Sequence, residues 1–363
     1  MGLRVLHVEM GRHLYGGALQ VFYLLRGLAE RGYENILVCQ QGSRIQDLAR
    51  GIARIKPIEC LGDPDPRLLW HLLTIIRTEA PDIFHVHSRR GADFWGALAA
   101  RLTRARAVIT RRVDNPEPVW MARWRYGSFA RVITISEGIK KVLMREGIPE
   151  EKISCVLSAI DVDHYARQAD RGWFAREFSI SPKELAVGMV AQFIPRKGHQ
   201  LLVTAARGII SRRKDVRFVL CGRGPLEKEI RDQVVRWGLE GHFIFAGFRE
   251  DLPRVLPCFD LLVHPAFMEG LGVGLVQAAA AGVPIVATRV GGIPEIVQHG
   301  VNGLIIPPGD VRALEEAIME LLNDGPKRKK MARAGRRIAR ERFSLEKMIE
   351  GNIKVYESLI HSR

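Results

Sequence analysis

Leu261-Leu-Val-His-Pro-Ala-Phe-Met-Glu-Gly-Leu-Gly-Val-Gly-Leu-Val-Gln277 runs on through Ala278-Ala-Ala-Ala-Gly-Val-Pro-Ile-Val-Ala287. Leu261-Leu-Val263 has the length and apolarity of a short buried strand. The glycines after Glu269 open an apolar stretch expected to be helical over 271–281. Gly282-Val-Pro284 is a turn signal, and Ile285-Val-Ala287 is a second strand. Strand, glycine loop, helix and strand in one short segment is the building unit of a parallel sheet. Gly270 to Thr288 holds no charged residue. Its glycines and the Gly-Val-Pro turn nevertheless make it loop, buried helix and strand, not a bilayer crossing.

The same grammar extends outward on both sides. In the second half, strands are expected at Ala186–Val190, Phe218–Cys221, Phe243–Ala246 and Gly303–Ile306, with helices near 199–211, 225–237 and 310–322. In the first half, Arg4–Val8 leads through Gly11, Gly16 and Gly17 into a helix, Leu19 to Arg31. Further strands are expected at Asn35–Cys39, Ile83–Val86, Ala107–Thr110, Val132–Ile135 and Ile153–Leu157. Helical patterns separate most of them, which predicts an α/β chain of two open parallel sheets with helices on both faces. The domains are expected at 1–165 and 180–344, joined through the strand-poor, charged stretch 162–184. Such sheets bind ligands outside the carboxyl ends of their strands, so a single cleft between two facing sheets is expected.

Composition agrees with two ordinary domains. The chain has 363 residues, 47% of them apolar and 26% charged, and no low-complexity tract. Its 55 Lys and Arg exceed its 40 Asp and Glu, for a net charge of +15, which points to an anionic partner. The five cysteines are widely spaced with no CxxC, arguing against a disulfide framework or zinc site and for a reducing compartment. The apolar start, Met1 to Val8, is too short for a signal peptide.

Four segments carry candidate chemistry. Gly16-Gly17-Ala18, after Tyr15, leads into a helix, where a phosphate could approach the backbone closely. The alternative is a plain tight turn, since no full G-x-G-x-x-G occurs. Arg196 and Lys197, in Val190-Ala-Gln-Phe-Ile-Pro-Arg-Lys-Gly-His199, would sit at a sheet's carboxyl edge as phosphate ligands, or else be a solvated charge pair. Glu269 stands before Gly270-Leu271-Gly272, whose amides suit a diphosphate, while the carboxylate suits sugar hydroxyls. Gln277 lies about two helical turns on. The competing reading makes Glu269 only a cap. His85 and His87 end a strand on one side of it. They form no recognisable metal set with nearby carboxylates, and no metal is expected.

Gly222-Arg-Gly-Pro-Leu226, Phe245-Ala-Gly-Phe-Arg-Glu-Asp-Leu-Pro253, Glu269-Gly-Leu-Gly272, Ala281-Gly-Val-Pro-Ile-Val-Ala287, Gly291-Gly-Ile-Pro-Glu295, Asn302-Gly-Leu304 and Pro308-Gly-Asp310 occur in order. Together they resemble glycosyltransferase family 4 over essentially the whole chain, most tightly over 186–323. The resemblance implies the GT-B fold: two Rossmann-like domains about a central cleft, with a last helix (345–363) returning to the first domain. It implies a retaining, metal-independent sugar transfer from a UDP- or GDP-type nucleotide sugar, with no further cofactor. The leaving diphosphate would stay beside the incoming hydroxyl, and domain closure would exclude water. Glu269 would contact the donor sugar and His87 would orient it. Lys197 and the Gly270–Gly272 amides would stabilise the diphosphate, with Gly222 in the same donor site. Gly16 and Gly17 would close over the phosphates. Two positions depart from the family pattern: Gln277 replaces a ribose-binding Glu, and Gln192 stands where an Arg is expected, with Arg196 nearby.

The first domain is expected to hold the acceptor. Ser88-Arg-Arg-Gly-Ala-Asp-Phe-Trp95 is basic and aromatic, and residues 101–131 hold eight Arg against Asp114 and Glu117. Arg111, Arg112, Trp120, Arg123, Trp124 and Arg125 have the composition of a helix on an anionic bilayer, although buried tryptophans in a solvated helix would give the same pattern. With the resemblance, a glycan or lipid-linked acceptor in cell-envelope or lipopolysaccharide assembly is expected, at the inner face of the cytoplasmic membrane. The alternatives are a GT-B sugar-nucleotide epimerase and a nucleotide-sugar binder of reduced activity. Nucleic-acid binding has no recognisable motif behind it.

Overall fold

The computed structural model describes residues 2–14, 16–87 and 91–361. The chain divides into two compact units, residues 1–159 with 345–363 and residues 160–344. The first holds seven parallel strands: β1 (Arg4–Glu9), β2 (Glu34–Gln40), β3 (Arg54–Ile58), β4 (Ile83–Val86), β5 (Ala107–Arg111), β6 (Arg131–Thr134) and β7 (Ile153–Cys155). Their order is β3-β2-β1-β4-β5-β6-β7. The second holds six: β8 (Leu185–Val190), β9 (Val216–Cys221), β10 (Phe243–Gly247), β11 (Leu261–His264), β12 (Ile285–Thr288) and β13 (Gly303–Ile306). Their order is β10-β9-β8-β11-β12-β13. Both are doubly wound Rossmann-like sheets, as expected from the alternation of strand and helix patterns. In each, the chain builds outward on one side and then restarts on the other. The turning points lie between β1 and β4 and between β8 and β11, and the carboxyl edge at such a point is where ligands settle.

Three details differ from the expectation. β3, Arg54-Ile-Lys-Pro-Ile58, went unread because it does not look like a buried strand. It lies at the sheet edge, where Pro57 removes no needed donor. Its Arg54 and Lys56 pair with Glu79 and so neutralise the open edge. Secondly, the stretch 162–184 is not a bare joint. It folds within the second unit as the helices Val162–Tyr165 and Arg171–Phe178. Phe174 and Phe178 are buried there, with the Phe174 ring edge-on to Phe259. Thirdly, the helix after β1 starts at Gly16, so both glycines belong to its first turn.

The returning helix, Leu345–His361, packs within the first unit. Met348, Ile349, Val355 and Tyr356 join Val5, Leu24, Leu28, Val108 and Ile133 in one core. A Cβ on Gly27 would meet Ile349 Cδ1 at 2.1 Å, so the two helices approach as only glycine allows. All five cysteines are free thiols, and burial pushes Cys39 up to about 11. Among the described residues, no helix is long and apolar enough to cross a membrane.

Candidate active site

In the second unit, the loops after β8 and β11 meet at the turning point of the sheet. After β8, Pro195–Lys197 forms one tight turn and helix His199–Arg212 begins. Gly198 joins them at φ +75°, and a Cβ there would lie 2.0 Å from the Pro265 carbonyl oxygen. That close approach holds one loop on the other, as does the hydrogen bond from Phe267 N to Arg196 O (2.8 Å). The result places Lys197 Nζ 2.5 Å from Glu269 Oε2. His264 Nε2, at the end of β11, lies 2.9 Å from the same oxygen. Burial alone would raise the Glu269 carboxyl. The hydrogen bond and charge of His264, with the Lys197 ammonium, outweigh it and bring it down to about 2. Glu269 is therefore an anion at every physiological pH and has the partners of a built site, not of a simple cap.

The neighbouring loops are shaped around this pair. Helix Val273–Ala281 starts two residues later than expected, after Gly272 at φ +97°. Leu271 is buried, so the Gly-Leu-Gly turn is anchored by its middle residue. Gly222 sits at φ +150°, and a Cβ there would meet the Ala191 carbonyl oxygen at 1.9 Å, which brings the loop after β9 onto the loop after β8. Gln277 Nε2 donates to Tyr165 Oη at 2.8 Å. The structure does not gather every expected donor residue equally. Gln192 is exposed and Arg196 half-buried, and neither side chain hydrogen-bonds Glu269 or Lys197.

In the first unit, the turning point between β1 and β4 holds three imidazoles. His7 and His85 are register partners on the two strands, and His87 follows β4. His7 Nδ1 lies 3.0 Å from His87 Nε2. His85 Nδ1 meets Tyr356 Oη of the returning helix at 2.6 Å, and its Nε2 meets Thr110 Oγ1 at 2.7 Å. Burial drives all three well below the ordinary histidine value, His7 to about 3, so they are neutral. One ring nitrogen from each lies within 4.8 Å of the others. Hydrogen bonds already occupy both nitrogens of His85, while His87 Nδ1 is buried and has no partner among the described residues.

The basic stretch 101–131 is divided: Arg101, Arg104, Arg106 and Arg123 are exposed, as a cationic surface requires, while Arg111 is buried and Arg112, Arg125 and Arg131 are half-buried. Arg111 is 3% exposed, and its guanidinium grips Glu146 at 2.5 and 3.1 Å while also donating to the Val113 and Asn115 carbonyls. Arg125 pairs with Glu117 and lies 3.5 Å from Asp93. Trp124 packs on Phe94, with Arg101 over its ring. A guanidinium can be buried only with such partners, and Glu146 lies outside the counted stretch. Trp120, at 70% exposed, lies on the surface together with Arg101, Arg104, Arg106 and Arg123. Arg112 points inward: its Cδ would lie 3.5 Å from a Cβ on Gly17. Its Nε is buried without a partner among the described residues, and burial lowers the guanidinium to about 10. Tyr15, Ser88, Arg89 and Arg90 lie outside the described residues.

His7, His264, Tyr165 and Tyr356 escaped the reading of the sequence. His264 stood five residues before Glu269 at a strand end, a usable signal. His7 needed the strand register, and the two tyrosines needed the tertiary fold.

Comparison with known proteins bears on these arrangements. The family model described as Glycosyl transferases group 1 matches residues 173–338, and that described as Glycosyltransferase Family 4 matches residues 15–164. N-acetyl-alpha-D-glucosaminyl L-malate synthase of Bacillus anthracis is 29% identical over 305 residues, 82% of this chain and 80% of that protein. The UDP-Gal:alpha-D-GlcNAc-diphosphoundecaprenol alpha-1,3-galactosyltransferase of Escherichia coli is 22% identical, covering 89% of this chain and 88% of its own. The crystal structure of Anabaena Alr3699/HepE in complex with UDP superposes with a TM-score of 0.86 at 21% identity, over 98% of this chain and all of that one.

Proposed function

This chain belongs to glycosyltransferase family 4 and has the GT-B fold, and from that premise we propose that it is a retaining, metal-independent transferase acting on a glycan or lipid-linked acceptor. The donor is a nucleotide sugar of UDP or GDP type. The single observation that carries the site assignment is the cluster of Lys197, Glu269 and His264 at the carboxyl edge of β8 and β11. The Lys197 ammonium, with the amides of the Gly270–Gly272 turn, supplies positive charge for the leaving diphosphate. This is preorganised electrostatic stabilisation, in place before charge develops. The Glu269 carboxylate accepts hydrogen bonds from sugar hydroxyls, and Gln277 offers its amide to the ribose.

In the transfer, the bond from the anomeric carbon to the diphosphate oxygen breaks. The acceptor oxygen bonds to the same face of that carbon, and its proton passes to the departing diphosphate. The products are a glycoside of unchanged anomeric configuration and a nucleoside diphosphate. In the first unit, Gly16 and Gly17 begin a helix whose N-terminus favours an anion. Arg112 adds a cation beside them, and His87 offers Nδ1 to a substrate hydroxyl.

An envelope role, with the enzyme working at the inner face of the cytoplasmic membrane, is in keeping with the diphosphoundecaprenol galactosyltransferase among the relatives. The test is turnover of UDP- and GDP-sugars with an acceptor panel, the anomeric configuration of product being read by proton NMR. Transfer with retention, abolished by Lys197→Ala and Glu269→Ala, is expected. Inversion, or an epimerised nucleotide sugar formed from donor alone, would overturn the reading.

A further inference from the structure

Much of the excess positive charge lies on one helix of the second unit. Helix Gly325–Arg342 reads Gly-Pro-Lys-Arg-Lys-Lys-Met-Ala-Arg-Ala-Gly-Arg-Arg-Ile-Ala-Arg-Glu-Arg. Glu341 is its one acid against nine Lys and Arg, an excess of eight in a chain whose net charge is +15. Met331, Gly335, Ile338 and Ala339 face the core, so most of the cations face outward.

Crowding separates this helix from an ordinary solvated one. Elsewhere in the same unit, some exposed cations find carboxylates, as Arg312 does with Glu316, Arg212 with Glu315 and Arg231 with Glu227, and others, such as Lys183, Lys214 and Arg289, are exposed without one among the described residues. On this helix, Lys327 pairs with Glu320 and Arg340 with Asp163. Lys329, Lys330, Arg333 and Arg337 are exposed and have no hydrogen bond or ion pair among the described residues. Spaced by one, three and four residues, they line one groove of about 600 Å³ together with Val301. Val301 is a large apolar side chain left 39% exposed at the turn before β13.

We propose that the outer face of helix Gly325–Arg342 is the surface by which this protein adsorbs to an anionic lipid bilayer. This rests on the peripheral-membrane part of the reading above and assigns it to the second unit, in place of the stretch 101–131. Four cations crowded on about two helical turns suit a fluid sheet of anionic headgroups, which rearranges laterally to meet them. Val301 beside them would enter the headgroup boundary, a contact a nucleic-acid backbone does not reward. No aromatic ring lines the groove, so base stacking has no platform there.

The experiment is co-sedimentation of the full chain with vesicles of phosphatidylcholine, alone or with about one-third phosphatidylglycerol. A basic residue near such a surface is worth on the order of five-fold in partitioning. Reversal at four positions, Lys329→Glu, Lys330→Glu, Arg333→Glu and Arg337→Glu, should weaken binding to the anionic vesicles by at least about 100-fold. Melting temperature and transfer to a water-soluble acceptor should be unchanged. Binding by the unaltered chain should be absent on pure phosphatidylcholine and fall steeply in 1 M salt, where the Debye length is about 3 Å. A Trp120→Ser, Arg123→Glu variant should bind as the unaltered chain does. Loss of binding in that variant, with the helix variant unaffected, would overturn the assignment but leave peripheral attachment standing. Absence of vesicle binding by the unaltered chain, or binding to duplex DNA that survives on its own, would overturn both.

Discussion

Lys197 and Glu269, 72 residues apart in sequence, share a 2.5 Å contact in which His264 takes part through the same carboxylate oxygen. The pair is mostly enclosed, with side-chain exposures of 12% and 14%. Removing Glu269 leaves the Lys197 ammonium enclosed without its carboxylate, and removing Lys197 leaves the Glu269 carboxylate with His264 alone. Glu269→Ala is expected to lower kcat by about 100- to 1,000-fold, the range seen when one preorganised polar group is lost. Lys197→Ala should do the same while also raising the donor KM. Steady-state kinetics check both, and near-normal turnover in either variant would remove these residues from the mechanism.

His264 acts through Glu269 and is a positioning residue. His264→Ala should lower kcat about ten-fold, while His264→Gln, which keeps a donor near Glu269, should recover part of it. The pH profile separates positioning from plain destabilisation. Glu269 is held at about 2 in the fold against an ordinary 4.5. Its contribution to stability is therefore present above pH 4.5 and is lost as pH falls toward 2. Activity should show no acid limb from a carboxylate between pH 5 and 7. In His264→Ala, with its hydrogen bond gone, the acid limb should move upward. An unmoved limb with lower activity would leave His264 a purely structural role.

A chelator supplies the next check. Lys197 and the Gly270–Gly272 turn provide, in this reading, the positive charge that the diphosphate needs. Millimolar EDTA should therefore leave initial rates within about two-fold. A loss restored by a divalent ion would direct attention to the donor phosphates, or to the imidazoles of His7, His85 and His87.

The two sheets were legible because parallel strands buried on both faces are short apolar runs, and twelve of the thirteen strands, all but the edge strand β3, are of this kind. Glycine punctuation located Glu269 and Lys197 because each follows a strand that ends at a turning point of its sheet. The basic region at 101–131 was legible only in part, for a definable reason. Charge counted along the chain says nothing of distant partners, and Glu146 neutralises Arg111 from 35 residues away. Conversely, helix Gly325–Arg342 carries its charge where the sequence shows it, but only three dimensions show that Lys327 and Arg340 find carboxylates while Lys329, Lys330, Arg333 and Arg337 find none among the described residues.

The buried imidazoles predict acid sensitivity. His7 is held near 3, and His85 and His87 well below their ordinary 6.5, because burial disfavours the charged ring. A group with a depressed folded value binds fewer protons in the fold than when unfolded. Stability is thus full above pH 6.5 and falls as pH drops below it. Each neutral imidazole contributes about 1.4 kcal/mol per pH unit in that window. Between pH 7 and pH 5 the loss should amount to several kcal/mol, read as a falling Tm, and His7→Leu should flatten the slope by up to one proton. A Tm that stays level from pH 7 to 5 would contradict the buried neutral cluster.

Arg112 gives the sharpest separation of stability from function. Its Nε is buried without a partner among the described residues, and burial has already lowered the guanidinium to about 10. A desolvated cation of this kind is a cost to folding that a substrate anion would offset. Gly17, beside it, begins a helix whose free amides favour the same anion. Arg112→Met keeps much of the side-chain volume and removes the charge. Stability is expected to be unchanged or higher by about 1 kcal/mol, because replacing a half-buried, desolvated charge with an apolar chain is commonly neutral or favourable. Transfer should nonetheless fall at least ten-fold, since the anion loses its cation. Chemical denaturation and initial-rate measurements on one preparation decide it. A variant both less stable and fully active would show that Arg112 holds the fold and does not meet the substrate.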